Sequence, residues 1–266
     1  MNGVVLNPAD TGLEVIDLQA DAAFARRALH ARDTALQMEG MKRLASAFVE
    51  RPATILQELV KAAVSLCGAD SAGISIERED GSEDAFYEWV ATAGDYEGFL
   101  DAILPRNPSA CGVCLERGRP QLFRVSKKFF DILGVVAPLV TDGILLPWQV
   151  EQTRGTIFIM AHGRDEAFDS EDVRLMQFLA DFAAMGVRQQ RQQKLLMQRE
   201  RATAAAAMAN DLAHKINNPL QSLTNLLYLA AGGAGGGDAK ELAQQAATDL
   251  DRLSALVKRL LELPKA

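Results

Sequence analysis

The chain has 266 residues, 48% hydrophobic and 24% charged, the balance of a folded protein with room for one large domain or two small ones. Lys and Arg total 28 against 35 Asp and Glu, so the formal charge of −7 gives no overall electrostatic reason to bind nucleic acid or an anionic membrane. The opening MNGVVLNPAD lacks the basic and apolar regions of a signal peptide, and Asn2 stands where myristoylation needs Gly. No apolar run approaches the roughly 18 residues of a membrane span, and three cysteines do not make a secreted disulfide framework. A cytoplasmic protein is expected.

Residues 1–39 are expected to be partly helical or disordered. From about Met41 to His162, helical and strand patterns alternate. Ile55, Leu56, Leu59, Val60, Ala63, Val64 and Cys67 share one helical face, and Gly68 follows as a stop. SAGISIE sets Ala72, Ile74 and Ile76 against small or polar neighbours, as in a half-buried strand, and DAFYEWVATAG is a second strand. YEGFLDAIL and KKFFDIL read as short helices. GILLPWQVE and GTIFIMAH flank QTRG as a hairpin, and TIFIM, apolar on both alternating faces, belongs at the centre of a sheet covered on both sides. Residues 40–187 therefore predict an α+β domain, an antiparallel sheet flanked by helices.

The period then changes. AFDSEDVRL carries a helix start, with Asp169 as N-cap, Asp172 at the third helical position and Phe168 able to staple onto Val173. The helical pattern continues to the glycine run Gly232 to Gly237, about 95 Å if unbroken at ~1.5 Å per residue. RQQRQQK is polar all round, which makes residues 188–197 a helical linker, either a solvated connecting helix or a weak coiled coil. Beyond the glycines, Leu242, Ala246, Leu250, Leu253, Leu256, Leu260 and Leu263 recur at intervals of three and four. Residues 198–266 thus predict an antiparallel helical hairpin with one apolar seam per helix. A lone hairpin buries little, so two copies are expected to form a four-helix bundle in a homodimer; the alternative is that the hairpin packs back onto the first domain.

Within DLAHKINNPLQSL the seam residues are Ala209, Leu212, Ile216, Leu220 and Leu223. At ~100° per residue, Leu212 and Ile216 bracket the direction opposite His214, so the imidazole faces solvent, with Asp211 and Asn218 on its own face. Pro219 removes one backbone hydrogen bond and predicts a bend.

AHKINNPLQSLTNLLYL resembles the phosphoacceptor box of sensor histidine kinases, His-Glu-(Ile or Leu)-x-Asn-Pro-Leu, and DLDRLSALVKRLLEL resembles the second helix of their dimerisation hairpin. The resemblance implies that His214 is the phosphoacceptor position and Asn218 the residue that orients water during dephosphorylation. It implies a response regulator or a separate histidine kinase as partner. ILQELVKAAVSLCGADSAGISI, ACGVCLERGRPQLF and GTIFIMAHGRDEAFDSEDVRLMQFLADFA resemble a GAF domain, which implies a sensor for a small ligand of unknown identity. The ligand pocket is then expected between the central sheet and Phe99 to Pro138, near Cys111, Cys114, Phe123 and Trp148.

Two departures stand against the kinase pattern. Lys215 replaces the family's Glu, and an ammonium group, having only donors, cannot accept the imidazole N–H and fix its tautomer. Asp211, on the same face, is a carboxylate that could substitute. After Leu263 only Pro264, Lys265 and Ala266 remain, and no Gly-x4-Gly-Lys-Ser/Thr occurs, so no autokinase activity is expected of the chain alone.

CGVC (Cys111 to Cys114) lacks a second ligand pair for zinc, and no metal is expected. A dithiol redox enzyme is the rival class. Neither cysteine has the adjacent His of bilin-binding GAF domains, the Asn-Lys…Phe…Asp-Glu signature of cyclic-nucleotide GAF domains is missing, and no other cofactor is evident. His162 is expected to be a satisfied surface residue rather than a haem ligand, and His30 suggests nothing. The expected function is two-component signal transduction by a GAF sensor joined to a phosphotransfer hairpin. The alternative is the sensory portion of a complete kinase.

Overall fold

A computed structural model describes residues 11–82, 84–231 and 238–261. The described chain divides into two compact units, residues 1–192 and 193–266. No helix among the described residues is long and apolar enough to cross a membrane.

The first unit is built on a seven-stranded antiparallel sheet. Its strands are β1 (Leu13–Asp17), β2 (Ser71–Ser82), β3 (Ala85–Gly94), β4 (Ile103–Leu104), β5 (Gln121–Val125), β6 (Val140–Val150) and β7 (Thr153–Ala161), in the order β1-β5-β6-β7-β2-β3-β4. TIFIM lies in β7, the fourth of seven, and Ile157, Phe158, Ile159 and Met160 are all buried. β2 departs from a half-buried strand: Ser71 and Ser75, opposite in phase to Ala72 and Ile74, are also at 0% exposure, because its first residues are covered on both faces. The β6–β7 hairpin closes at Val150↔Thr153, so the turn is Glu151 and Gln152, with Glu151 at φ +54°, and Thr153 to Gly155 of QTRG are already strand.

Helix α1 (Thr34–Glu50), α2 (Ile55–Cys67) and the start of α5 (Ser170–Ala231) supply one core with the sheet. Across that face the register lines up Leu122, Ile144, Ile159 and Ala72, all buried. On α2 the predicted face is inside, and Gly68 ends the helix in the left-handed conformation at φ +60°. The opposite face forms a second core with α3 (Ala110–Arg117) and α4 (Lys127–Leu133).

Two predictions for this unit need correction. Residues 13–17, within the segment read as partly helical or disordered, are β1, paired along its whole length with β5. YEGFLDAIL is not a helix but a 3-10 turn, Glu97–Phe99, followed by β4. Asp101 at φ +63° breaks the helical path, and backbone bonds between Trp89 and both Asp101 and Ala102 hold the segment against β3.

The start of α5 is a carboxylate capping box. The Asp169 side chain accepts from the Glu171 and Asp172 amides, while Asp172 accepts from the Asp169 amide. The N-terminal segment latches onto this start. Arg32 pairs with Asp169 at 2.5 Å and Asp172 at 2.9 Å, the His30 amide donates to Asp169, and Arg27 pairs with buried Asp142 at 2.6 Å.

The second unit holds the remainder of α5, running through Pro219, and α6 (Asp238–Leu261). Leu212, Ile216, Pro219 and Leu223 of α5, and Ala246, Asp249, Leu253 and Leu256 of α6, are buried or half-buried. Leu220 and Leu250, expected in the seams, are 46% and 56% exposed, and Ala209 is exposed too, because Pro219 and Asp249 take the inner positions. The glycine turn at Gly232 to Gly237 and Leu263 lie outside the described residues, as do the side chains of Leu242 and Leu260.

Candidate functional site

On the sheet face away from α1 and α2, a cavity of about 410 Å³ lies between β5, β6, β7 and β3 on one side and the segment from Phe99 to Ala137 on the other. Its walls are mostly aromatic. Phe123 lies over Gly143 and Phe158 over Gly73, where an added Cβ would come within 2.5 Å and 2.4 Å of the rings; glycine at both positions lets them lie flat on the sheet. Trp89 stacks on Tyr96 with centroids 5.9 Å apart and tilts against Phe158 at 4.9 Å. Phe129 and Phe130 close the other side from α4.

Polar groups at the cavity are few and mostly engaged. The Tyr96 hydroxyl donates to the Pro138 carbonyl at 2.7 Å. Thr156 Oγ1 lies 3.2 Å from Cys111 Sγ and 2.8 Å from Ser75 Oγ, a small buried network. The buried Nε1–H of Trp89 has no acceptor. Burial pushes up the phenol of Tyr96 and the thiols of Cys111 and Cys114, the last with a further push from Cys111.

Of the four residues expected at the pocket, Cys111 and Phe123 line it. Cys114 is buried in the same core, with Sγ 3.8 Å from the Leu145 carbonyl, but does not line the cavity. Trp148 belongs to the opposite face: along β6, Gly143 and Leu145 turn toward the cavity side, so Ile144, Leu146 and Trp148 turn toward the helices. Sequence reasoning missed Trp89, Tyr96, Phe158 and the Phe129–Phe130 pair. For Trp89 and the Phe129–Phe130 pair the available signal was the density of aromatic residues in DAFYEWVATAG and KKFFDIL.

His162 has both ring nitrogens engaged, Nε2 with Ser71 Oγ at 2.7 Å and Nδ1 with the Leu139 carbonyl at 2.8 Å, and it stacks on Tyr96. It acts as a structural prop behind the cavity wall. His30, Asp169 and Asp172 bring ligand atoms within 4.8 Å of one another, but Arg32 already occupies both carboxylates.

In the second unit His214 is exposed on α5, on the side away from Leu212 and Ile216. Lys215 Nζ and Asp211 Oδ2 pair at 2.8 Å, so the carboxylate that could have served the imidazole is engaged by the lysine. Both are more than half exposed, and such a pair contributes about 0–1 kcal/mol. Next to them a groove between α5 and α6 is lined by Lys215, Asn218, Pro219 and Ser222 on one side and by Asp249, Arg252 and Leu256 on the other.

An aromatic cavity enclosed between a curled antiparallel sheet and a crossing segment, with helices behind the sheet, is the arrangement of a GAF domain. The GAF domain family model matches residues 50–188, and the chain belongs to that family. Over 71 residues, 26% of this chain, it is 41% identical to the Sensor histidine kinase ZraS of Escherichia coli O157:H7, covering 16% of that protein. The same identity holds for the Sensor histidine kinase ZraS of Salmonella typhimurium, of which 15% is covered. The chain thus spans less than a fifth of the length of these curated relatives. Among solved structures it is similar to the GAF domain of a phosphoenolpyruvate-protein phosphotransferase from Coxiella burnetii (16% identity, 60% of this chain and 98% of that one, TM-score 0.47). It is also similar to the GAF domain of a putative sensor histidine kinase from Pseudomonas syringae pv. tomato (16% identity, 62% and 94%, TM-score 0.42). A GAF domain together with a segment similar to a sensor histidine kinase supports a role in signal transduction.

Proposed function

We propose that the protein is a two-component signalling element: the GAF cavity senses a small ligand, and residues 198–266 act as a histidine kinase-like dimerisation and phosphotransfer hairpin. The observation that carries this reading is the exposed His214, with Asp211, Lys215 and Asn218 around it, beside the groove between α5 and α6. A response regulator or kinase domain docking there reaches the imidazole without rearranging the helices.

The phosphoryl group is assigned to an outside donor, a separate histidine kinase or a phosphorylated response regulator. His214 is a weak acceptor on this reading. Lys215 offers the imidazole no acceptor and engages Asp211 as well, so no free carboxylate beside the ring fixes one nitrogen as the nucleophile. The homodimer is supported by apolar side chains left in solvent on the second unit, with Leu227 at 71%, Leu229 at 55% and Leu250 at 56% exposure.

The test is transfer of labelled phosphoryl from a cognate kinase or phosphorylated regulator to wild type, Lys215→Glu and His214→Ala. Faint labelling of wild type, a gain in Lys215→Glu and none in His214→Ala are expected. Labelling that survives His214→Ala refutes the site. A second reading, the sensory portion of a complete sensor histidine kinase, is favoured by the kinase likeness itself. It predicts that the natural polypeptide labels His214 from ATP and magnesium alone.

The dithiol enzyme is disfavoured. Cys111 and Cys114 are buried and their thiols are pushed away from the reactive thiolate form.

A further inference from the structure

The cavity walls also define the chemistry of what fills them. We infer that the GAF cavity takes an uncharged, planar, mainly apolar molecule carrying one hydrogen-bond acceptor; this rests on the reading of the cavity as the sensory site.

Size comes first. The cavity of about 410 Å³ is about 2.7 times the ~150 Å³ apolar cavity that accepts benzene, room for about 16 non-hydrogen atoms, or two fused rings with a short substituent.

Charge comes next. Among the described residues no Lys, Arg or His lines the cavity, so a carboxylate or phosphate would be buried there without a counter-ion. Tyr96 and Cys111 are held neutral by burial, and the remaining ionisable residue in the lining, Asp84, is solvent-exposed. A cation would gain the faces of the aromatic rings. It would also meet the Trp89 N–H, a donor, and that favours an acceptor in its place.

The hydrogen-bond inventory narrows the choice further. Cys111, Thr156 and Ser75 satisfy one another, Ser109 accepts from the Gly112 amide, and the Tyr96 hydroxyl is spent on Pro138. Among the described residues, Trp89 Nε1 is the one buried side-chain polar atom without a partner that belongs to the cavity wall; Trp148 and Thr153 do not line it. One acceptor on the ligand meets that donor, and most of the remaining surface offers apolar contact and ring stacking.

Four probes of nearly one shape separate these requirements: 2-acetylnaphthalene (neutral, one acceptor), 2-isopropenylnaphthalene (neutral, no acceptor), 2-naphthoate (anion) and 1-(2-naphthyl)ethylammonium (cation). Affinities are measured by calorimetry on the full chain, with the Trp89 indole N–H resonance followed by NMR and assigned with Trp148→Phe. The ketone is expected to bind at least about tenfold tighter than either ion, to exceed the alkene by about threefold or more, and to shift the Trp89 indole resonance. Trp89→Phe should erase the difference between ketone and alkene. Leu133→Trp, a half-buried wall position where the larger ring fills the space, should weaken the ketone by about tenfold or more. The inference is overturned if either ion binds as tightly as the ketone, if no probe binds below about 1 mM, or if Leu133→Trp binds like wild type while folded. The sensory reading fails on a different result: probes bind in the expected order but change neither His214 labelling nor self-association.

Discussion

Asp169 is the residue at which the N-terminal segment and the start of α5 can be uncoupled, and replacing it gives a quantitative test of that latch. Its carboxylate is fully buried, which by itself raises the pKa. The Arg32 guanidinium at 2.5 Å and the backbone amides of His30, Glu171 and Asp172 more than offset this, lowering it from 3.8 to about 2. A shift of this size corresponds to about 2 kcal/mol at neutral pH, after some allowance for solvent reaching the half-exposed His30 beside it. The sign follows from the depressed pKa: the contribution is fully present above the unfolded value near 4 and is lost as pH falls through the folded value near 2. Asn keeps the capping oxygen and removes the charge, whereas Ala removes both. Asp169→Asn should therefore cost about 2 kcal/mol at pH 7, and Asp169→Ala about 1 kcal/mol more. Urea unfolding at pH 7 and pH 3 measures it, and the deficit of the Asn variant should shrink by about 1 kcal/mol at the lower pH. A deficit that is the same at both pH values, or below about 0.5 kcal/mol at pH 7, would refute the charge latch.

Gly155→Ala should cost at least about 2 kcal/mol in urea unfolding, since its Cβ would meet the Ser75 carbonyl oxygen at 2.1 Å and the Trp148 ring at 2.2 Å; a cost near zero would contradict the β2–β7–β6 register. The double variant Leu220→Glu, Leu250→Glu should turn a dimer into a monomer in light scattering without loss of helix, because both side chains are about half exposed on a single chain. A dimer that persists removes that surface from the interface. Cys111 and Cys114 should react with a thiol reagent at least about 100-fold more slowly in the native protein than in urea, and rapid native labelling would revive the dithiol reading.

What was legible in the sequence follows the local periodicities. The outward direction of His214 needs only the ~100° step of a helix, and the α5 start needs only Phe168 to Val173. The position of β7 was legible because TIFIM is apolar in both phases. Register was not legible. Trp148 looked as close to the cavity as Phe123, and only the pairing Phe123↔Gly143 shows that the two point to opposite faces. In α6 the leucine repeat favoured Leu250 as the inner residue, yet Asp249 is inside, beside the Pro219 turn of α5. The cavity's place between the sheet and the segment from Phe99 to Pro138 was legible, but its aromatic wall was not, because Trp89, Tyr96, Phe158 and the Phe129–Phe130 pair meet only once the sheet has formed.

Strand β1 has a practical consequence for anyone isolating the sensor. A fragment starting at residue 40, or at residue 50 where the family match begins, lacks Leu13–Asp17 and therefore leaves the outer backbone edge of β5 unpaired. It also leaves Asp142, Asp169 and Asp172 without Arg27 and Arg32, the guanidiniums that neutralise them. An open strand edge is a template for edge-to-edge association, so such a fragment should aggregate or swap strands although α2 to α6 and every cavity residue except Leu13 are still present.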